Sequence, residues 1–279
     1  MTEYKSEQEF LANYNSDEFE KLSMTTDICI FSVSNKATDN YRKLGEKKLS
    51  VLLAKRTTYP FIDMWCLPGG FVEITESIDD AAKRILRDET NLENIYLEQL
   101  YTFGEVNRDP RMRIISASYV ALIDQADIKE ELADNTDWFE LNYEAEGNLI
   151  SFKLTNDHEC ISFKVKKHLK CGTSDRYEYE VIENTALAFD HAKVIMTGLE
   201  RIKNKCEYTD IIFNMMPKYF TLGELQQVYE VVLNKKLLDP AFRRIIASKV
   251  EKTDKKKTGG GHRPSALFKH NKERLSCDL

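Results

Sequence analysis

The spacing of apolar residues predicts alternating strands and one helix in the first half of the chain. Runs of β-branched and apolar residues at 27–33, 47–56 and 112–124 are typical of strands. Between the second and third runs the apolar positions recur at helical spacing, from Ile78 to Leu86. Ser77, with Asp80 three residues later, indicates where this helix begins. Strands that flank a helix indicate an α/β domain.

The middle of the chain is typical of a small β-meander, and the last third is largely helical. Three short strands are predicted at 149–156, 159–169 and 176–184, separated by turn-forming residues. From about Leu187 the pattern is helical until a glycine-rich stretch close to the C-terminus. The sequence therefore predicts three regions, which are residues 1–145, 146–185 and 186–279.

Two helices joined by a short connection are predicted in the third region. Thr221 and Glu224 form a capping-box pattern at the start of the first helix. Asp239 as the N-cap, followed by Pro240, predicts the start of the second helix. After it, "KVEKTDKKKTGGGHRPSALFKHN" is expected to form two strands joined by a flexible basic tip. Helix, turn, helix and wing together predict a winged helix-turn-helix that binds double-stranded DNA.

The second of these helices carries the side chains expected to reach DNA. Its inward-facing residues are predicted to be Phe242, Ile245 and Ile246. Arg243 and Arg244 are predicted to face out and to contact bases or phosphates, because Arg binds guanine or phosphate with two parallel hydrogen bonds. The candidates to hold the DNA backbone without reading its sequence are Lys255, Lys256, Lys257 and Arg263.

The charge distribution agrees with a polyanion as the partner of the C-terminal end. The net charge is −6, yet the segment from Arg243 to Arg274 holds eleven Lys or Arg residues against three acidic residues. A basic end on an acidic body indicates nucleic acid binding, although such a charge run is often only a solvated surface.

Composition excludes several other classes of protein. A chain of 279 residues with 42% hydrophobic content is long enough for two domains with substantial cores. No apolar run approaches the roughly 20 residues of a membrane span, so we expect no membrane partner and a cytoplasmic location. The six cysteines lack a CxxC pair, which argues against a zinc site and against a disulfide framework.

The helix that follows Ser77 carries acidic residues of the kind that metal-assisted phosphate chemistry needs. Magnesium requires several oxygen ligands close together, and positions 85, 88 and 89 lie on one side of a helix. The candidate metal ligands are Glu76, Asp88 and Glu89. Ile85 cannot coordinate a metal ion, so the predicted site lacks one ligand. These acids also fit an ordinary solvated helix surface, and spacing alone leaves both interpretations open.

This stretch resembles the Nudix box, whose pattern is G-x5-E-x7-R-E-U-x-E-E-x-G-U with U an apolar residue. The residues that match the pattern are Gly70, Glu76, Arg84 and Glu89. The departures from it are Ile85, Asp88 and Asn91. Asn91 is a mild departure because Asn tolerates the left-handed conformation at a helix C-terminus. Ile85 removes a metal ligand, so the resemblance implies a catalytically degenerate box.

Other segments are similar to the Nudix-related transcriptional regulators of NAD metabolism, which are close to the ADP-ribose pyrophosphatases. They are residues 60–72, 96–123, 186–195, 220–233 and 259–271. The resemblance implies a Nudix mixed-sheet α/β/α sandwich with the β-meander as an insertion, followed by the winged helix. It further implies a homodimeric repressor of NAD-related genes that senses ADP-ribose or a close relative. Magnesium binding is implied only weakly.

The segment "FGEVNRDPRMR" supplies candidates for an effector site. Three arginines, Arg108, Arg111 and Arg113, suit a diphosphate, and Asp109 beside them suits a ribose hydroxyl. A charged loop with internal ion pairs is the alternative. The candidates to stack on an adenine ring are Phe103, Trp65 and Phe71, although aromatic residues in such places are more often core residues.

Two other functions remain open from the sequence. The first is an active magnesium-dependent ADP-ribose pyrophosphatase in which the C-terminal domain is incidental. The second is a regulator of the same architecture that responds to a sugar. The degenerate box favours the ADP-ribose-responsive regulator over the enzyme.

Overall fold

A computed structural model of the chain describes residues 6–35, 45–91, 93, 95–128, 132–169, 177–257 and 264–272. The strands are β1 Ser23–Asn35, β2 Lys47–Lys55, β3 Trp65–Cys66, β4 Gly69–Phe71, β5 Tyr96–Phe103, β6 Ile114–Ile123, β7 Thr136–Glu146, β8 Leu149–Thr155, β9 Cys160–Leu169, β10 Tyr177–Asn184, β11 Val250–Lys257 and β12 Ser265–His270. The α-helices are α1 Glu7–Asn13, α2 Ile78–Thr90, α3 His191–Tyr208, α4 Leu222–Leu233 and α5 Asp239–Ile246. The strands and helices predicted from apolar spacing are therefore confirmed.

Strands β1 to β10 form one mixed sheet. Its order is β10-β9-β8-β7-β2-β1-β6-β5, with β3 paired to β2 and β4 paired to β1. Strand β1 runs antiparallel to β2 and parallel to β6. The pairing of β4 with β1 sets Gly70 opposite Thr26, so the first residue of the box pattern is fixed beside the central strand.

The predicted meander is confirmed as three antiparallel strands, and it continues the main sheet. Strand β7 runs one residue past position 145, and a tight turn at Gly147, with φ +62°, connects it to β8. Glu146 pairs with Leu149 across this turn, and β9 and β10 follow in antiparallel order. The division at residues 145 and 185 stays a prediction.

Helices cover both faces of the sheet, which confirms the predicted α/β/α sandwich. Helix α2 packs on β1 and β4, while α3 packs on β1, β5, β9 and β10 across the other face. The close approach of α3 depends on Gly198, because a Cβ atom there would lie 3.1 Å from Phe31 Cε2 and 3.2 Å from Cys29 Sγ.

The winged helix shares its core with the sheet. Helix α4 packs directly on β2. One continuous apolar cluster includes Phe31 and Phe139 of the sheet, Leu199 of α3, and Val228 of α4 with Phe242 of α5. The two predicted functional parts are therefore held together by buried apolar contacts rather than only by a linker.

The local signals for helix ends are mostly confirmed. The Ser77 side chain accepts a hydrogen bond from Asp80 N, and Asn91 ends α2 with φ +54°. Thr221 and Glu224 form both hydrogen bonds of the capping box. The prediction that Asp239 is an N-cap is wrong, because Leu238 occupies that position without a side-chain cap. The Asp239 carboxylate instead accepts a hydrogen bond from Gln226 Nε2 at 2.9 Å.

Helix α5 and the wing agree with the prediction, apart from one residue. Phe242 and Ile246 are buried, and Arg243 and Arg244 are exposed. Ile245 was expected to face inward and is 62% exposed, because the short helix buries only the residue pair spaced four apart. Strands β11 and β12 pair as the expected wing, whose tip lies outside the described residues.

None of the helices in the described ranges is both long enough and apolar enough to cross a membrane.

Candidate functional site

Two residues of the Nudix-like box, Glu76 and Arg84, form an ion pair. Arg84 Nη2 donates to Glu76 Oε1 at 2.6 Å and to the Phe71 carbonyl at 3.2 Å. The hydrogen bond from Arg84 lowers the pKa of Glu76 to about 2. The pair therefore fixes the turn before α2 to the helix, and the Glu76 carboxylate is charged throughout the physiological range.

Ile85 occupies the place of a box carboxylate and belongs to the core. Its side chain is 4% exposed and packs in an apolar cluster with Ala82 and Leu86. A Cβ atom added to Gly70 would lie 3.4 Å from Ile85 Cδ1, so the isoleucine fills the space beside the glycine. Isoleucine at position 85 therefore cannot bind a metal, but it adds apolar packing under α2.

The two remaining box acids do not make a metal site with Glu76. Asp88 is exposed beside Arg87, whose Nε lies 3.7 Å from its carboxylate. The Glu89 Oε2 atom is buried and has no hydrogen-bond partner in the described part of the chain. Across that same part, no three His, Cys, Asp or Glu side chains come together in a group that fits a metal ion. Magnesium needs several oxygen ligands close together, and Glu89 Oε2 alone does not supply them. These residues therefore do not fit a magnesium ion.

Arg108 lies inside the molecule, in a buried ion network. Its side chain is 4% exposed, with Nε and Nη2 donating to the Asp190 carboxylate at 2.9 and 2.7 Å. Nη2 also lies 3.3 Å from Asp27 Oδ2, which accepts a hydrogen bond from Ser116 at 2.5 Å. The sequence assigned Arg108 to a diphosphate. The structure shows that its guanidinium already neutralises two carboxylates.

His191 completes this network as a neutral ring. Its Nδ1 atom accepts a hydrogen bond from Leu67 N at 2.9 Å, and its Nε2 atom lies 3.7 Å from Asp27 Oδ1. Burial lowers the pKa of His191 despite the nearby Asp27 carboxylate. The ring therefore ties the β3–β4 connection to the first residue of α3.

The other residues of the 104–113 loop divide into internal and exposed groups. Asp109 is buried and accepts hydrogen bonds from Arg111 N, Nε and Nη2 at 2.9, 3.0 and 2.8 Å. Arg113 donates to the carbonyls of Gly104 and Glu105. Arg111 is 40% exposed, and it alone of the three arginines combines that exposure with aromatic neighbours.

Those neighbours form an arginine–aromatic cluster that the sequence predicted only in part. The Arg111 guanidinium lies 5.5 Å from the Phe71 ring centre and 5.8 Å from that of Phe189, and Arg56 lies 4.9 Å from Phe189. Phe61 meets Phe189 edge-on at 4.7 Å. Two guanidinium groups beside the exposed Phe71 ring and the half-buried Phe189 ring suit a ligand with an aromatic base and phosphates.

The predicted stacking residues have different environments. Phe71 is 47% exposed, whereas Trp65 and Phe103 are core residues at 6% and 4% exposure. Trp65 is further fixed by a hydrogen bond from Nε1 to Glu159 at 2.7 Å. Sequence reasoning missed Phe189, although it lies in a segment that carried the family resemblance and has the unusual φ of +54°.

The candidate DNA-binding residues lie on the winged helix. Arg243 and Arg244 are exposed on α5, and Lys256 is exposed on β11. Lys255 Nζ lies 3.8 Å from the Tyr219 ring centre, and Lys257 pairs with the Glu224 carboxylate at 2.5 Å. Arg263 lies outside the described residues.

Two family models match the chain. Residues 37–154 match the Nudix domain, and residues 212–270 match the NrtR DNA-binding winged helix domain. The first covers most of the sheet with α2, and the second covers α4, α5 and the wing.

Similar proteins cover almost the whole chain. The ADPR responsive transcriptional repressor NtrR of Acinetobacter baylyi is 31% identical over 272 residues, which is 95% of this chain and 89% of that protein. A MutT/nudix family protein from Enterococcus faecalis is 28% identical with a TM-score of 0.70, over 95% of this chain and 94% of that one. Shewanella oneidensis NrtR complexed with a 27mer DNA is 26% identical with a TM-score of 0.62, over 91% and 95% respectively.

The buried ion network makes Arg108 essential for stability. We expect Arg108→Met to lower the free energy of unfolding by about 3–5 kcal/mol, because it leaves the buried Asp27 carboxylate and the partly buried Asp190 carboxylate without a counter-charge. Urea unfolding of the full chain measures this. Arg113→Met is the control, because that arginine donates only to backbone carbonyls of its own loop. Equal losses in the two variants would contradict this role of Arg108.

Glu89 is expected to lower stability at neutral pH. Burial, and then the Asp88 charge, raise the pKa of Glu89, so folding favours its protonated form. The favourable contribution of protonated Glu89 is therefore fully present below its ordinary pKa of 4.5. It is lost as the pH rises through the raised pKa, where the buried side chain becomes charged. We expect Glu89→Gln to be more stable than the native protein at pH 7, with a gap that closes on acidification. Urea unfolding across pH measures the gap, and Asp88→Asn, which removes only the smaller of the two causes, should stabilise the protein at pH 7 by less than Glu89→Gln does.

Proposed function

This chain belongs to the NrtR family of Nudix-related transcriptional regulators, and on that premise we propose that it is a DNA-binding repressor of NAD-related genes that is released by ADP-ribose. The observation that carries the proposal is the shared core. Helix α4 of the winged helix packs on β2 of the Nudix sheet, so a ligand bound to one part acts on the same packed body that binds DNA.

The winged helix supplies the DNA-binding half of the function. Helix α5 follows α4 after a short turn and presents Arg243 and Arg244 on its exposed side. A helix in this position reads the major groove, and its arginines are suited to guanine or phosphate. Lys255 and Lys256 of the wing, with Arg263, bind the DNA backbone. Lys257 must exchange its Glu224 partner for a phosphate before it contributes fully.

The arginine–aromatic cluster supplies the effector half. ADP-ribose carries an adenine ring, a diphosphate and two riboses. Arg111 and Arg56 bind the diphosphate by charge-assisted hydrogen bonds, and Phe71 or Phe189 stacks on the adenine. The Asp190 carboxylate stays with Arg108 and anchors the loop under the ligand. A sugar effector has neither an aromatic base nor a diphosphate, so the cluster favours the nucleotide over the sugar-responsive alternative.

The degenerate box argues against the pyrophosphatase alternative. Hydrolysis needs a metal that bridges the phosphates, and the box offers Ile85 where a ligand belongs. In the described part of the chain, Glu76, Asp88 and Glu89 do not come together as the oxygen ligands that such a metal needs. The protein therefore holds ADP-ribose longer than a hydrolase would, as a sensor requires.

Helix α3 connects the effector site to the DNA-binding surface. It begins next to Asp190, which Arg108 holds, and it extends about 27 Å from its length of 18 residues. Its last turn reaches the winged helix, where Lys249 Nζ donates to the Thr209 carbonyl at 2.8 Å and pairs with Asp210 at 3.0 Å. A ligand that moves Phe189 thus acts on the segment between α5 and the wing.

The repressor works as a homodimer in the cytoplasm, where the DNA is. A pair of winged helices related by twofold symmetry matches the symmetry of most operators.

Arg111 is expected to bind the effector. We expect Arg111→Ala to weaken ADP-ribose binding by roughly 1.5–3 kcal/mol, the range for a charge-assisted hydrogen bond. Isothermal titration calorimetry measures the affinity. Arg87→Ala, which removes an exposed arginine of α2, is the matched control and should bind as the native protein does. Unchanged affinity in Arg111→Ala would refute the assignment, and rapid release of AMP by the native protein with magnesium would favour the hydrolase.

DNA binding is expected to depend on salt and on ADP-ribose. Fluorescence anisotropy with the duplex upstream of the protein's own operon should show that affinity falls steeply with salt and that ADP-ribose weakens it by about 1–3 kcal/mol. Lys256→Ala should reduce the slope of log K against log salt by about 0.9, because one phosphate contact is lost. Lys153→Ala, an exposed lysine of β8, should leave the slope unchanged. Equal affinity for a scrambled duplex, with no response to ADP-ribose, would refute the regulator.

A further inference from the structure

A stripe of exposed apolar residues runs along one side of α5. It consists of Leu238, Ala241 and Ile245, whose spacings of three and four put them on the same side of a helix. Leu238 is 78% exposed and Ile245 is 62% exposed, and Ala241 lies half-buried between them. We call these three residues the apolar stripe.

The two exposed members of the apolar stripe, Leu238 and Ile245, bury little of their surface within the winged helix. Helix α5 is anchored by Phe242 and Ile246, which are 4% and 1% exposed. The Phe242 ring meets the Tyr229 ring edge-on at 5.4 Å. The stripe lies to one side of this anchor, so folding does not account for an exposed leucine at the N-cap or an exposed isoleucine within the eight-residue helix.

The charge around the stripe identifies its occupant as a polyanion. Ile245 directly follows Arg243 and Arg244, and the wing adds exposed Lys256 to the same small domain. The one acid in α5, Asp239, accepts a hydrogen bond from Gln226 and lies at the start of the helix. A second copy of this chain would bring the same positive charges against this surface. Charge complementarity therefore favours DNA over a protein partner.

We infer that the apolar stripe, through Ile245 above all, reads the 5-methyl groups of thymine in the major groove. The inference rests on the proposed DNA-binding function and assigns part of its sequence specificity. Thymine presents a methyl group to the major groove, and apolar side chains recognise it by contact, whereas arginine recognises guanine. A helix that carries Ile245 beside Arg244 thus suits an operator in which thymine and guanine are close neighbours.

The test removes the methyl group without changing base pairing. Each thymine of the upstream duplex is replaced in turn by deoxyuridine, and the full-length native protein and Ile245→Ala are titrated by anisotropy. We expect the native protein to bind about fourfold more weakly at one or two substituted positions, the effect of one apolar group removed from a contact. Ile245→Ala should bind the thymine and deoxyuridine duplexes equally at those positions.

A matched variant and a folding measurement make the test decisive. Ile182→Ala removes an exposed isoleucine of β10 and should respond to deoxyuridine as the native protein does. Ile245→Ala should have the same unfolding temperature as the native protein, because the Ile245 side chain is exposed. The inference is overturned if deoxyuridine has no effect on the native protein at any position, or the same effect on Ile245→Ala. If the native protein fails to bind the unmodified duplex, the proposed function itself fails.

Discussion

The buried guanidinium of Arg108 holds together three segments that are far apart along the chain. It joins the 104–113 loop to Asp27 of the central strand and to Asp190 at the start of α3. Charges buried in this way cost several kcal/mol each unless their geometry is well satisfied, so the three segments have little freedom to separate. Arg111 and the half-buried Phe189 lie close in sequence to Arg108 and Asp190, so this arrangement helps to bring them together. The candidate effector surface is thus held in place by a buried ion network beneath it.

The Nudix-like box has an apolar residue, Ile85, at a position where the Nudix pattern has a carboxylate. Ile85 joins the core under α2 and fills the space beside Gly70, while Arg84 still straps Glu76 to the helix. The loop before α2 keeps its shape because the Arg84–Glu76 ion pair and the pairing of Gly70 with Thr26 are both present. What is lost is the set of oxygens that a metal would need. Binding and hydrolysis have separate physical requirements, because binding needs the shape of the loop and hydrolysis also needs oxygen ligands that hold a metal.

Local patterns in the sequence predicted local structure well, and they failed where a distant partner decides the outcome. Strand positions, the Ser77 cap and the left-handed Asn91 depend on neighbouring residues, and each is confirmed. Arg108 could not be assigned, because its partners lie 81 and 82 residues away and no pattern connects them. Ile245 and the helix start at Leu238 were misjudged because α5 is short and its contacts with α4 decide its register. Among the residues predicted to stack on an adenine ring, exposure separates Phe71 from Trp65 and Phe103, and exposure is a property of the assembled sheet.

The packing of α4 on β2 bears on how such a protein can evolve. A regulator made of two independent modules can exchange its DNA-binding part for another by a single recombination event. Here the facing surfaces of the sheet and the winged helix form one apolar core. A winged helix taken from another protein would therefore pack poorly on β2, because its side chains would not be complementary to that surface. New operator preferences are therefore more accessible through point substitutions on the exposed side of α5 than through exchange of the whole module.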